Sequence, residues 1–158
     1  MLSITEKYIR NNFLNASKKE RAELTLPQNF ETIDWDAIDF LGWCDPRISR
    51  RAYAFVPVGD DVKGILFQQQ PPNSQPQLCD WCRDVRLPND VVFSSAKRSG
   101  SSGRKGNTVA VYVCKSFQCS FNVRNDPPQP YDGFDMETAR AERIAALQER
   151  IRRFAQQL

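Results

Sequence analysis

The chain has 158 residues, 41% of them hydrophobic and 26% charged, with a net charge of +3 and no histidine. This length suits one globular domain with a modest core, and no apolar run approaches the roughly 18 residues needed to span a bilayer. The missing histidine excludes Ser-His and Cys-His catalytic couples and any metal site with an imidazole ligand.

Two short helices are predicted near the N-terminus, within residues 4–30. Capping-box signals, in which a serine precedes a glutamate by three residues, begin at Ser3 and at Ser17. Apolar residues at helical spacing follow the first signal, so one face of that helix should be buried. Residues 32–43 then predict a short helical turn that leads into an irregular connector.

Four strands are predicted further along the chain, in two hairpin-like pairs. Apolar runs separated by turn signals indicate them at residues 52–58, 62–68, 90–96 and 108–114. The Gln/Pro-rich residues 68–77 have nothing apolar to bury and predict a mobile loop. The Gly/Ser-rich, basic residues 97–107 predict an exposed and flexible loop.

An amphipathic helix is predicted over residues 134–158, after a Pro-rich linker at residues 126–133. Its apolar side chains recur at intervals of three and four, at Ile144, Leu147, Ile151, Phe154 and Leu158. Two heptads are few for a coiled coil, so packing on its own domain is favoured over pairing with a second chain. The elements together predict an α+β fold: N-terminal helices, an antiparallel sheet within residues 52–124, and an added C-terminal helix outside a main domain of residues 1–125.

The charges are unevenly distributed along the chain. Residues 83–124 contain eight basic and two acidic side chains, whereas residues 31–61 contain seven acidic and three basic ones. Such asymmetry indicates a face that meets an anionic partner, or loops that the charges simply keep solvated. The N-terminus lacks a basic segment followed by an apolar one, so no secretory signal is predicted and a cytoplasmic location is expected.

Four of the five cysteines form two close pairs, Cys79 with Cys82 and Cys114 with Cys119. Each short loop lets two sulfurs converge on one ion, so the pairs predict a single tetrahedral Zn²⁺. A first pair followed by a hairpin and a ligand at a helix start is typical of a treble-clef finger. Four cysteines leave no open coordination position, which indicates a structural rather than a catalytic zinc.

Three other interpretations of the paired cysteines remain open: disulfides, a redox-active Cys-x-x-Cys pair, and buried thiols without a ligand. Nothing in the sequence indicates secretion, and a redox pair would be expected beside a βαβ pattern. Inert thiols rarely fall in two close pairs, so zinc is favoured. The fifth cysteine, Cys44, has no histidine partner and is interpreted as a semi-buried structural thiol.

Several segments together resemble the FBP domain, the elongation factor G-binding treble-clef zinc finger of FusB-type fusidic acid resistance proteins. They are Leu41-Gly42-Trp43 with Asp45-Pro46, the pair Cys79 and Cys82, Gly103 with Gly106-Asn107-Thr108, and Tyr112 before Cys114, Cys119 and Ser120. The resemblance extends over residues 4–124, most of the chain.

The resemblance implies a zinc-dependent module that binds elongation factor G and helps to release it from the ribosome, where fusidic acid locks it. By position, the paired cysteines match the zinc ligands and Lys105 matches the basic residue used against the factor. Trp81 and Phe117 are the nearest counterparts of the family's aromatic contacts, although these rings could equally be core residues, as is expected for Phe121. Asp80 replaces an aromatic residue after the first ligand, and the N-terminal helical bundle of the resistance proteins has no counterpart here.

Two functions therefore compete. The first is a non-catalytic module that binds elongation factor G and has no small-molecule substrate and no membrane partner. The second is a zinc finger that binds RNA or the ribosome, with phosphates contacted by Lys97, Arg98, Arg104 and Lys105. An enzyme is a third interpretation, but the acidic residues that it would need, Asp34, Asp36 and Asp39, are expected to form a solvated face.

Overall fold

A five-stranded antiparallel sheet forms the centre of the computed structural model, which describes residues 1–73, 75–85 and 90–158. Each strand pairs with its neighbours in the sequence, so the sheet is a meander from one edge to the other. The strands are β1 Leu41–Cys44, β2 Arg51–Val58, β3 Asp61–Gln69, β4 Val91–Lys97 and β5 Thr108–Cys114. The α+β class and the antiparallel sheet are confirmed.

Five α-helices lie within the described residues: α1 Glu6–Asn11, α2 Lys18–Glu23, α3 Gly100–Arg104, α4 Cys119–Arg124 and α5 Met136–Ala155. A 3-10 turn occupies Phe30–Thr32. The capping box predicted at Ser17 is present, because its hydroxyl accepts from the Glu20 N–H and its own N–H donates to the Glu20 carboxylate. The box predicted at Ser3 is wrong. Thr5 caps α1 instead, since its hydroxyl accepts from the N–H of Tyr8.

Both faces of β2 are covered. Tyr53 and Phe55 face a cluster that includes Ile9 of α1, whereas the alanines and valine between and beside them face a second cluster that includes the cysteines and α5. Residues 52–56 are all fully buried. A strand covered on both faces needs apolar residues at consecutive positions, which explains why this stretch reads as a continuous apolar run.

Two predicted connectors contain strand instead. β1 lies where residues 32–43 predict a helical turn, because a four-residue strand that contains Gly42 has little periodic signal. Gln68 and Gln69, predicted to lie in a mobile loop, belong to β3 and pair with β4. The Gln69 amide is buried and donates to the Lys115 carbonyl at 3.2 Å, so a polar side chain is satisfied there by hydrogen bonding. Ser74 of the same predicted loop, and residues 86–89 of the basic segment, lie outside the described residues.

The C-terminal helix packs on its own domain, as predicted. Leu147, Ile151 and Phe154 are buried in the cluster that contains the cysteines, and the ring of Phe154 stacks on Phe67 of β3 with centroids 5.5 Å apart. The apolar face of α5 is therefore buried against the chain's own sheet. Among the helices of the described residues, none combines the length and the apolar character that crossing a bilayer requires.

Residues 97–107, here called the basic turn, join β4 to β5. The sequence predicts a flexible loop, but the turn contains α3 and is hydrogen-bonded to the two residues Gln157 and Leu158. The Ser99 N–H and hydroxyl donate to the Leu158 carbonyl oxygen at 2.7 and 2.6 Å, and the Arg98 guanidinium donates to the Gln157 carbonyl at 2.7 Å. The residues that follow α5 thus hold the base of the basic turn.

Candidate metal centre

Four buried thiols meet where β5 ends and α4 begins. Cys79 and Cys82 come from the turn before β4, Cys114 is the last residue of β5, and Cys119 is the first residue of α4. The Sγ atoms of Cys79 and Cys119 are 3.7 Å apart, and those of Cys82 and Cys114 are 3.6 Å apart. All four sulfurs lie within 4.8 Å of one another. The structure thus brings together the four predicted ligands.

These separations fit one zinc ion. In a tetrahedral site with Zn–S bonds of about 2.3 Å, neighbouring sulfurs lie about 3.8 Å apart, whereas a disulfide needs about 2 Å. Contacts with Cys114 and the other cysteines, together with burial, raise the pKa of Cys119 well above its ordinary value. Four thiolates this close repel one another, and a bound cation offsets that repulsion. The centre is a structural zinc site of treble-clef type, with four sulfurs and no position left for a catalytic water.

The backbone directs each pair of sulfurs toward the same point. The N–H of Cys82 donates to the Cys79 Sγ at 3.4 Å, and Arg83, the next residue, has a φ of 51°. In the second turn Phe117 has a φ of 56°, and its N–H donates to the Cys114 carbonyl at 2.9 Å. Non-glycine residues rarely adopt this left-handed conformation. Packing around the turns, rather than local preference, therefore holds them.

Asn122 supports the centre and was not identified from the sequence. Its Nδ2 donates to the sulfurs of Cys82 and Cys114, each at 3.6 Å. Such N–H donors stabilise thiolates and orient them toward the metal. One feature of the sequence could have indicated it. Asn122 lies three residues after Cys119, which places both side chains on one face of α4.

Arg150 of α5 places a positive charge beside the first cysteine pair. Its guanidinium donates to the Trp81 carbonyl at 2.9 Å, and it lines a cleft together with Cys82 and Arg83. Burial and the neighbouring Arg83 lower the pKa of Arg150, while the two cysteines of the pair act in the opposite direction. Zn²⁺ with four thiolates carries a net charge of −2. A partly buried cation at this place offsets that charge.

The two aromatic residues predicted as partner contacts, Trp81 and Phe117, are buried in the structure, so that prediction is corrected. Trp81 is 1% exposed and Phe117 is 5% exposed, and their rings pack on each other and on Phe67 with centroids 6.0–6.2 Å apart. They cover the metal centre from the core side and present no ring to a partner. Phe121, expected in the core, is 67% exposed on α4. Its neighbours Ser120 and Asn122 occupy the inward face of that helix instead.

The predicted basic contacts lie away from the metal. Lys97, Arg98, Arg104 and Lys105 are all exposed in the basic turn. The turn adjoins Thr108, the first residue of β5, whereas Cys114 is the last. Cys114 lies six positions after Thr108, about 20 Å along an extended strand. The four clustered cysteines and the basic turn therefore lie at opposite ends of one hairpin.

Asp39 is buried, although the sequence places it on a solvated acidic face. It is 6% exposed, and its carboxylate accepts from the Arg124 guanidinium at 2.5 Å and from the Gln148 amide at 2.8 Å. Its own N–H donates to the Ser120 hydroxyl at 3.0 Å. This network joins the segment before β1 to α4 and α5. Its partners are 85 and 109 residues distant, so no local signal could have indicated it.

Comparison with known proteins gives one family match. A family model described as the FBP C-terminal treble-clef zinc-finger matches residues 8–158. The match includes α5, which the sequence predicts as an addition to the main domain. Among solved structures, the chain is similar to the fusidic acid resistance protein FusC, with 24% identity over 74% of this chain and a TM-score of 0.49. The similarity covers 56% of the FusC chain, so the present chain spans little more than half of that protein. No curated protein matches the chain.

Proposed function

Because the chain belongs to the FBP C-terminal treble-clef zinc-finger family, we propose that it is a non-catalytic zinc module that binds elongation factor G. The observation that carries the proposal is the family match over residues 8–158, which includes the four clustered cysteines and the basic turn. A structural zinc with four sulfur ligands fits a binding role, since it fixes backbone geometry and activates no water.

The basic turn is the surface through which we propose that the module meets the factor. Residues 91–125 contain six basic side chains and no acidic one, and Arg104 and Lys105 are exposed at the end of the β4–β5 hairpin. The tie between Ser99 and Leu158 holds this turn in place. A cationic surface held on a rigid hairpin is complementary to an acidic protein surface and accelerates its association. Lys105 is the residue that the family resemblance assigns to this contact.

We propose further that the module releases the factor from the ribosome and so protects translation from fusidic acid. Both follow if the module binds the factor more tightly off the ribosome than on it, because a ligand shifts an equilibrium only by its differential affinity. Such an activity would place the protein in the cytoplasm. The release step is testable separately, by following ribosome-bound elongation factor G with fusidic acid present and zinc-loaded protein added.

Titration calorimetry of zinc-loaded protein with elongation factor G tests the binding step. We expect binding at micromolar concentration or tighter, weakened about 5- to 10-fold by Lys105→Ala, the scale of losing one charged contact at an interface rim. Lys18→Ala, at another exposed lysine, is the matched control and should bind like the unmodified protein. Absence of binding by metal-replete protein contradicts the proposal. Equal affinities for both variants would instead exclude Lys105 from the interface.

A further inference from the structure

The outer face of the β4–β5 hairpin carries side chains that the core does not use. Alternate residues of both strands point to the core. Of the four cross-strand pairs on the opposite face, Val91 with Cys114 is buried, and the other three are exposed at least in part. Phe93 lies opposite Tyr112, Ser95 opposite Ala110, and Lys97 opposite Thr108. The face therefore runs from an aromatic pair, across a shelf of small residues, to the basic turn.

The aromatic pair borders a narrow cleft. The rings of Phe93 and Tyr112 meet edge to face with centroids 5.5 Å apart, and Phe93 is 39% exposed. Pro71 and Pro72 form the facing wall, and the cleft has a volume of about 290 Å³. A cleft of this size with an aromatic wall has room for one planar ring to lie against that wall.

Positive charge stands at a fixed distance from this cleft. Lys97 lies four positions after Phe93 in β4, a distance of about 13 Å, and Arg104 and Lys105 are exposed in the basic turn that follows. Two acidic residues lie at the aromatic end, away from the basic turn: Asp80, whose carboxylate accepts from the Tyr112 N–H at 2.8 Å, and Asp90, directly before β4. Stacking surfaces followed by cations are the elements with which proteins hold single-stranded nucleic acid.

We propose that this outer face binds single-stranded RNA, with one base stacked in the Phe93–Tyr112 cleft and the phosphates of neighbouring nucleotides on Arg104 and Lys105. The small side chains of Ser95 and Ala110 leave room for the backbone to cross between the two ends. An acidic protein surface would satisfy the cations but would leave the ring-sized cleft without a planar partner. The inference does not depend on binding to elongation factor G.

Fluorescence anisotropy with zinc-loaded protein and a short, labelled, mixed-sequence RNA strand tests the stacking contact. Phe93→Leu keeps an apolar side chain but removes the π face, and we expect it to weaken binding about 5- to 100-fold, the range that loss of one stacked base gives. Phe121→Leu is the matched control, since Phe121 is 67% exposed on α4, and it should bind like the unmodified protein. Circular dichroism and zinc content establish that both variants are folded.

Salt dependence tests the phosphate contacts. The double variant Arg104→Gln, Lys105→Gln should reduce the slope of log K against log salt by about 1.4, because each phosphate contact to a single strand contributes about 0.7. Phe93→Leu should leave that slope unchanged.

Three results would overturn the proposal: no RNA binding at low salt, equal binding of an RNA duplex, or unchanged RNA affinity in Phe93→Leu. In the third case, a simultaneous loss of elongation factor G binding would mark the face as a protein interface. Elongation factor G is titrated with the same preparations. Failure of either proposal is therefore seen separately from the other.

Discussion

A Cβ atom placed on Gly42 would lie only 2.5 Å from the Cβ of Phe117. Gly42 is in β1, and Phe117 is in the turn between the last two cysteines. The Phe117 ring also meets Phe40, just before β1, with centroids 6.2 Å apart. The glycine therefore permits the edge of the sheet to approach the metal-binding turn closely. This contact gives a structural reason for the glycine in the Leu41-Gly42-Trp43 motif.

Gly42→Ala should lower the free energy of unfolding by about 1–3 kcal/mol, because the added methyl group forces Phe117 aside in a packed core. Urea unfolding of the zinc-loaded protein measures this change. Phe117→Leu, alone and combined with Gly42→Ala, completes a double-mutant cycle, and the alanine should cost less when the ring is absent. Additive effects of the two substitutions would show that the contact is not the cause.

Cys79→Ser should abolish stoichiometric zinc binding, whereas Cys44→Ser should retain one zinc per chain. Cys44 is the control because it lies outside the cluster and its thiol donates to the Lys115 carbonyl at 3.1 Å. Native mass spectrometry gives the metal content, and circular dichroism should show loss of structure when a chelator removes the ion. Structural zinc contributes about 10–16 kcal/mol in zinc-finger peptides. Unchanged unfolding after chelation would contradict a structural role for the metal.

Arg150→Met should weaken zinc binding about 10-fold, the lower end of the range for residues that support metal ligands. The substitution removes the cation that offsets the −2 charge of the centre but keeps the apolar stem. Competition with a chromogenic chelator measures the affinity. Arg153→Met, on the same helix, removes a charge that is 72% exposed and paired with Glu149, so it should bind zinc normally. Equal losses in the two variants would point to helix destabilisation instead.

Asp45→Asn should lower the free energy of unfolding by about 2 kcal/mol, the scale of hydrogen bonds to a charged group. Burial opposes ionisation of this carboxylate, but hydrogen bonds from the Tyr53 hydroxyl at 2.7 Å and from the N–H groups of Arg47 and Ile48 hold its pKa below the ordinary value. Asp36→Asn, at an exposed acid, is the control and should change little.

The loss of unfolding free energy caused by Asp45→Asn should depend on pH in a definite direction. A carboxyl whose folded pKa is lowered contributes its full stabilisation above its unfolded pKa of about 3.9, and loses it as the pH falls through the folded pKa. The difference between Asp45→Asn and the unmodified protein should therefore be the same at about pH 8 and about pH 6. A difference that grows or shrinks across that interval would assign the effect to another group.

Local patterns in the sequence were sufficient for most elements. The hairpin of β2 and β3, strands β4 and β5, and helix α5 were predicted within a few residues, because periodicity and turn residues act over short stretches. The zinc ligands were equally accessible, since each pair lies in a single short loop. The basic turn was recognised by composition, but its anchoring to Leu158 depends on where α5 ends against the sheet.

Exposure of the aromatic residues was decided by tertiary structure. Trp81 and Phe117 flank the cysteines as Phe121 does, yet only Phe121 points outward. Which face of a turn is covered depends on the sheet and on α5, which are distant in sequence.

The zinc site, the fold class and the excluded catalytic couples could be predicted from the sequence alone, because ligand spacing, residue type and the absence of histidine are local or compositional properties. The contacts of Asp39 with Arg124, of Gly42 with Phe117, and of Arg150 with the turn of the first cysteine pair became apparent in the folded chain. Each of these contacts joins residues from different elements. A contact of that kind forms only when packing of the whole chain brings its two halves together, so no short stretch of sequence encodes it.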